Sequence, residues 1–85
     1  MYLIIARAEW VSGHQNPPDF PDTKRKVSRI LRKEFGALTN QRAERKARHF
    51  LIEFKKKLPK EDKGCLSWTT KPKIVSIIFA KLLPF

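Results

Sequence analysis

Apolar and polar positions alternate through residues 2–11, Tyr-Leu-Ile-Ile-Ala-Arg-Ala-Glu-Trp-Val. In an extended chain, Ile4, Ala6, Ala8 and Trp10 share one side, and Leu3, Ile5, Arg7, Glu9 and Val11 share the other. The first side is apolar throughout; the second turns polar midway. The pattern predicts a strand with one face under helices and the other partly wet. The small pair Ala6 and Ala8 would let a helix approach closely.

A loop comes next. Residues 12–22 contain Gly13 and three prolines, which exclude regular structure. From Asp22 to Phe35 the period reads as helical. Val27, Ile30, Leu31, Phe35 and the following Leu38 gather in about one third of a helical wheel. Arg25, Lys26, Arg29, Arg32 and Lys33 fall on the opposite side. This predicts an amphipathic helix with Asp22 or Thr23 as N-cap and Gly36 just beyond its end. A second helix is predicted from Thr39 or Asn40 to Lys57, because Ala43, Ala47, Phe50, Leu51, Phe54 and Leu58 lie within an arc of about 100°. Pro59 stops it. The linker 37–39 is short, so the two helices are expected to pack as an antiparallel hairpin. Ile52 stands apart, opposite the apolar stripe and among cations.

Towards the C-terminus, Leu66 and Trp68 alternate with Ser67 and Thr69, and residues 74–79 are nearly continuously apolar and rich in β-branched side chains. Strands over 65–70 and 74–82, joined through Lys71-Pro72-Lys73, predict a hairpin; a short buried helix over 74–83 is the competing reading. The expected fold class is therefore α+β, a single domain over residues 1–85 in the order β-α-α-β-β. Its small antiparallel-type sheet combines the N-terminal strand with the C-terminal hairpin, and the helical hairpin covers one face.

Charge sharpens this picture. The chain carries a formal net charge of +11, with 19 Lys and Arg against 8 Asp and Glu. Residues 23–64 hold 15 of those cations and 5 of the acids. Such a concentration costs self-repulsion and points to an anionic partner. The 41% hydrophobic fraction and the aromatic content fit a globular chain rather than a disordered one. The single cysteine, Cys65, excludes an intrachain disulfide and fits a reducing, cytoplasmic setting. Beside Leu66 it reads as a small core residue. The apolar run from Ile74 to Phe85 is too short to span a bilayer, which needs about twenty residues, so no transmembrane segment is expected.

Candidate chemistry is sparse. Glu9, His14, Asp19 and Asp22 are the candidate metal ligands, and acids beside prolines serve mainly as turn and cap residues; no metal or cofactor is expected. His49, near Arg42, Arg45 and Lys56, is the best general-base candidate, but a lone His on a charged face is mainly a solvated one. No catalytic residue is assigned. The strand–two helices–strands order, small size and basicity resemble the RelE-type ribosome-dependent mRNA-cleaving toxins. The resemblance covers element order and carries no catalytic residue across.

The sequence ranks the functions accordingly. First is a nucleic-acid-binding module, DNA or RNA, that contacts phosphates with little base specificity. Its expected contacts are Arg25, Arg29, Arg32, Lys33, Arg42, Arg45, Arg48, Lys55 and Lys56. The alternative is a protein-interaction or inhibitor module docking on an acidic protein or a nucleoprotein complex, with Phe20 and Ile52 as partner contacts. An RNA-cleaving enzyme using His49 or His14 ranks third.

Overall fold

The computed structural model describes residues 1–64 and 66–82; Cys65, and with it the expectation of a core cysteine, lies outside them. The element order is β1 (Tyr2–His14), β2 (Thr23–Phe35), α1 (Asn40–Lys57), β3 (Ser67–Thr69) and β4 (Lys73–Lys81). The expected helical hairpin is absent. Residues 22–35 form a strand, and one helix rather than two lies against an antiparallel sheet. The order is thus β-β-α-β-β, and the element order behind the toxin resemblance is not the one the chain adopts.

The reason is visible in the register. β1 and β2 pair over their whole lengths, from Tyr2↔Phe35 to His14↔Thr23. Opposed residues share a face, so the helix-bearing side of β2 holds Arg25, Val27, Arg29, Leu31, Lys33 and Phe35. Its apolar members are four residues apart. A separation of four is an even number of strand positions and also nearly one helical turn, so both periods fit it. Ile30 and Leu38 completed the apparent helical stripe, yet in the structure they are 63% and 86% exposed. Asp22 caps no helix. Its carboxylate accepts the Asn16 backbone N–H (3.4 Å), while the Asn16 side chain donates to the Pro21 carbonyl (2.7 Å) and the Thr23 hydroxyl (3.0 Å), closing the β1–β2 loop. Gly36 has no left-handed conformation to supply; its carbonyl accepts from Lys46 Nζ at 2.7 Å.

The C-terminal hairpin is also replaced. β3 and β4 do not pair with each other. Both run antiparallel to β1, along the edge opposite β2. Ser12↔Thr69 and Glu9↔Lys73 show them to be one edge strand, interrupted where Lys71 and Pro72 add a residue. Pro72 has no N–H to give a ladder, which fits an interruption at an edge. Thr70 bridges the gap: its backbone N–H donates to the Val11 carbonyl (2.9 Å), and its hydroxyl accepts the Val11 N–H (2.8 Å). A second irregularity falls between Arg7 and Ala8, opposite Val75.

The expected inner face of β1 does meet the helix. Ile4, Ala6 and Ala8 are essentially inaccessible, and Trp10 and Tyr2 are buried. Tyr2, Ile4 and Phe35 pack with Ala43 and Ala47, and Ala6, Ala8 and Trp10 pack with Phe54. Leu51 touches both groups. Tyr2, Phe35 and Phe79 form a triangle of rings, with Tyr2 6.0 Å from Phe35 and 5.9 Å from Phe79 and the two Phe rings 6.4 Å apart, and Phe50 meets Phe35 edge-on at 5.3 Å. Thr39 caps α1 by accepting the Arg42 N–H (3.2 Å), and the Tyr2 hydroxyl donates to Asn40 Oδ1 (2.6 Å), tying the helix start to the start of β1. The molecule measures 60 × 22 × 13 Å. The thirteen-residue hairpin strands reach about 40 Å against about 27 Å for the helix, so the β1–β2 tip overhangs it.

Two substitution pairs test this packing by denaturant titration. Phe54→Ala should cost about 3–5 kcal/mol, whereas Ile30→Ala, on the open face, should cost well under about 1 kcal/mol. A side-chain methyl at Gly13 would sit 2.1 Å from the Trp68 ring, while one at Gly36 would meet nothing within 4 Å. Gly13→Ala should therefore destabilise by about 1–3 kcal/mol, and Gly36→Ala should be neutral or slightly stabilising.

Candidate nucleic-acid interface

Of the chain's 19 Lys and Arg, β2 carries six and α1 seven. The fold divides them among three surfaces. Strand alternation puts Arg25, Arg29 and Lys33 on the helix-bearing side of β2, and Lys24, Lys26 and Arg32 on the open side. The five cations expected on one helical stripe are thus split between two faces.

On the open side the charges are largely neutralised locally. Arg32 pairs with Glu34 at 3.0 Å. Glu9 holds both Lys26 (3.3 Å) and Arg7 (3.5 Å). Exposed pairs of this kind contribute little stability, but they remove Arg32 from any continuous cationic surface.

On the helix-bearing side two cations of β2 turn back over the aromatic core. The Arg29 guanidinium lies 5.7 Å from the Trp10 ring centre and donates to the Lys57 carbonyl at 2.6 Å, at the helix C-terminus. The negative end of the helix dipole and its unpaired carbonyls favour a cation there. Lys33 Nζ lies 5.9 Å from the Phe50 ring centre. Both residues are exposed, so each cation sits over a ring at the margin of the core rather than inside it.

Helical geometry places the remaining candidates around α1. Arg42, Arg45 and Lys56 occupy the outer surface with His49 and Ile52, all exposed. Lys46 and Lys57 flank the side facing β2. Neither is among the contacts expected from the sequence; the position of β2 beside the helix gives them their place. Arg48 and Lys55 lie on the opposite flank, facing β4. There Lys55, Lys56, Lys60 and Lys71 surround a cleft of about 750 Å³ floored by Leu58 and Ile74.

The acids on α1 are Glu44 and Glu53, and Glu53 is engaged by Lys56 at 3.4 Å. His14 and His49 are not brought into one site: His14 ends β1 beside the loop, whereas His49 neighbours Phe50, which packs at the Tyr2 end. Among the described residues, no three His, Cys, Asp or Glu are grouped to hold a metal, and no helix is long and apolar enough to cross a membrane. Phe20 is 65% exposed in the overhanging loop and Ile52 52% exposed on the outer helix surface.

The division of the cations predicts different stability effects. Arg29→Ala removes a ring contact and a bond to the helix end, and should cost about 1 kcal/mol in denaturant titration. Arg32→Ala removes only a surface pair and should change stability by less than about 0.5 kcal/mol.

Comparison of the chain with protein-family models, curated proteins and solved structures finds no match.

Proposed function

We propose that the helix-bearing side of the molecule binds the phosphate backbone of nucleic acid, with little dependence on base sequence. The observation that carries this reading is the placement of Arg25, Arg29 and Lys33 on the helix-bearing side of β2 together with Arg42, Arg45 and Lys46 on α1. All six are exposed. Arg25 stands on the overhanging end of the hairpin, and the others lie beside or along the helix. Arg supplies a planar fork of donors suited to phosphate, and Lys adds a compact charge. The helix carries Arg and Lys around much of its circumference, which suits backbone contact better than a narrow base-reading face. Arg32 is no longer part of the interface, because it faces the other way and is paired.

Fluorescence anisotropy on random duplex DNA, single-stranded DNA and RNA tests this reading. Affinity should fall with salt, because each neutralised phosphate releases a condensed counterion. Five contacts would give a log–log slope near about −4.5 on duplex and about −3.5 on single strands. The triple variant Arg25→Ala, Arg42→Ala, Arg45→Ala touches no core contact. It should flatten the slope by up to about three units, similarly for every sequence. Arg32→Ala should leave the slope unchanged. Absence of binding to all three probes near about 50 mM salt would overturn the reading.

A further inference from the structure

We propose that β4 is a docking edge for an extended segment of a partner protein, apolar in its middle and acidic at its ends, which adds to the sheet as the next strand. The surface is separate from the cationic side assigned above, and the two readings stand or fall independently.

The sheet has two outer strands, and they are built differently. β2 is dense in charge, with six cations and Glu34 along thirteen residues. Charged side chains on an edge strand discourage another strand from pairing there. β4 has no such protection. Residues 74–80, Ile-Val-Ser-Ile-Ile-Phe-Ala, contain no charge and no proline, and lysines stand only at its ends, Lys73 and Lys81. Its inner edge is occupied by β1 along almost its whole length, and beyond it the Leu82 N–H still donates to the Met1 carbonyl (2.8 Å). Among the described residues no strand lies on its outer edge. The neighbouring β3 shows the contrast, since the outer edge of Thr69 is closed by Asp62 through reciprocal backbone bonds of 2.9 and 2.8 Å.

Apolar side chains of β4 are also uncovered on both faces. Ile77 and Phe79 lie on the helix-bearing side, yet α1 sits over β1 and leaves them 53% and 40% exposed. Ile78, on the open side, is 54% exposed. An added strand would satisfy the outer backbone groups and cover side chains on both faces at once, the arrangement by which sheets capture extended peptides.

Charge selects the occupant. A second copy pairing along β4 would join two chains that each carry +11, with a lysine at each end of both strands and no acid in the seam to offset them. Such an accumulation of like charge is unfavourable. A strand with acids at its ends meets those lysines instead. The Lys73 end also adjoins the cleft lined by Lys55, Lys60 and Lys71 together with Glu61, where cations outnumber the one acid. Backbone pairing would supply the affinity, and the flanking charges the choice of partner.

The test uses the intact chain and fluorescein-labelled synthetic peptides. The probe is Asp-Glu-Val-Thr-Ile-Val-Thr-Val-Glu-Asp. One control carries N-methyl groups on alternate residues, which remove backbone donors while keeping side chains. Another has every acid replaced by Lys. The acidic probe should bind saturably, and both controls at least about tenfold more weakly. The double variant Lys73→Glu, Lys81→Glu, changed at exposed positions, should retain its far-UV circular dichroism and prefer the Lys-ended peptide. Unlabelled duplex DNA should not displace the probe beyond the effect of its added salt. Equal binding of the N-methylated peptide, no saturation up to about 1 mM, or a dimer in sedimentation that Ile78→Lys converts to monomer would each overturn the proposal. The last result would give the edge to a second copy.

Discussion

β1 is the element on which the structure depends. Among the described residues it is the only strand with another strand on each edge, β2 along one and β3 with β4 along the other. It also supplies Tyr2, Ile4, Ala6, Ala8 and Trp10, five of the nine buried hydrophobic residues among those described. Without it neither edge would have a backbone partner and the helix would have no floor. The alanines at its centre are as important as the larger residues. At Ala6 and Ala8 the sheet surface is low, so the Phe54 ring fits between the helix and the strand. A larger side chain there would lift the helix from a core that has little apolar area to spare.

The cations serve the fold as well as the surface. Arg29 and Lys33 occupy inward-facing strand positions that a hydrophobic residue would ordinarily fill. Their charged ends lie over the Trp10 and Phe50 rings, and both residues remain exposed at the margin of the helix. This lets a narrow sheet be closed on one side by a single helix while keeping its border positively charged. The proposed phosphate-binding face is thus continuous with the edge of the hydrophobic core, and its charges are positioned by that packing. The opposite margin of the sheet has the reverse character, because β4 presents uncharged side chains between terminal lysines. The two margins suit partners of different chemistry.

Several features were legible in the sequence for clear physical reasons. The alternation in residues 2–11 correctly named the residues that face the helix, since a two-residue period with small central residues has one sensible burial. The helix to Lys57 was legible from its apolar arc, which is too regular for a strand, and from Pro59 at its end; the start, open between Thr39 and Asn40 in the sequence, is fixed by Thr39 acting as the cap. The strand character of residues 74–81 followed from β-branched residues in a short run. Net charge and its concentration in residues 23–64 needed no structure at all.

Residues 22–35 were decided only by tertiary structure. Val27, Leu31 and Phe35 are four apart, and Arg29 and Lys33 occupy the positions between them, so the apolar residues alone satisfy either period. What resolves the ambiguity is the free edge of β1. Thirteen successive residue pairs with β2 satisfy that edge, and no local signal in residues 22–35 reports that such a partner exists. The separation of β3 from β4 has the same origin: Lys71-Pro72-Lys73 resembles a turn by composition, but the long edge of β1 accepts both segments in line. The grouping of the candidate site followed from these choices. Reading residues 22–35 as a helix put Arg25, Arg29 and Arg32 on one face; the strand's two-residue period sends Arg32 to the other side and sets Lys57 beside Arg29 and Lys46 beside Gly36. Local sequence determined which residues are apolar, cationic or capping, whereas pairing across distant segments determined which of them share a surface.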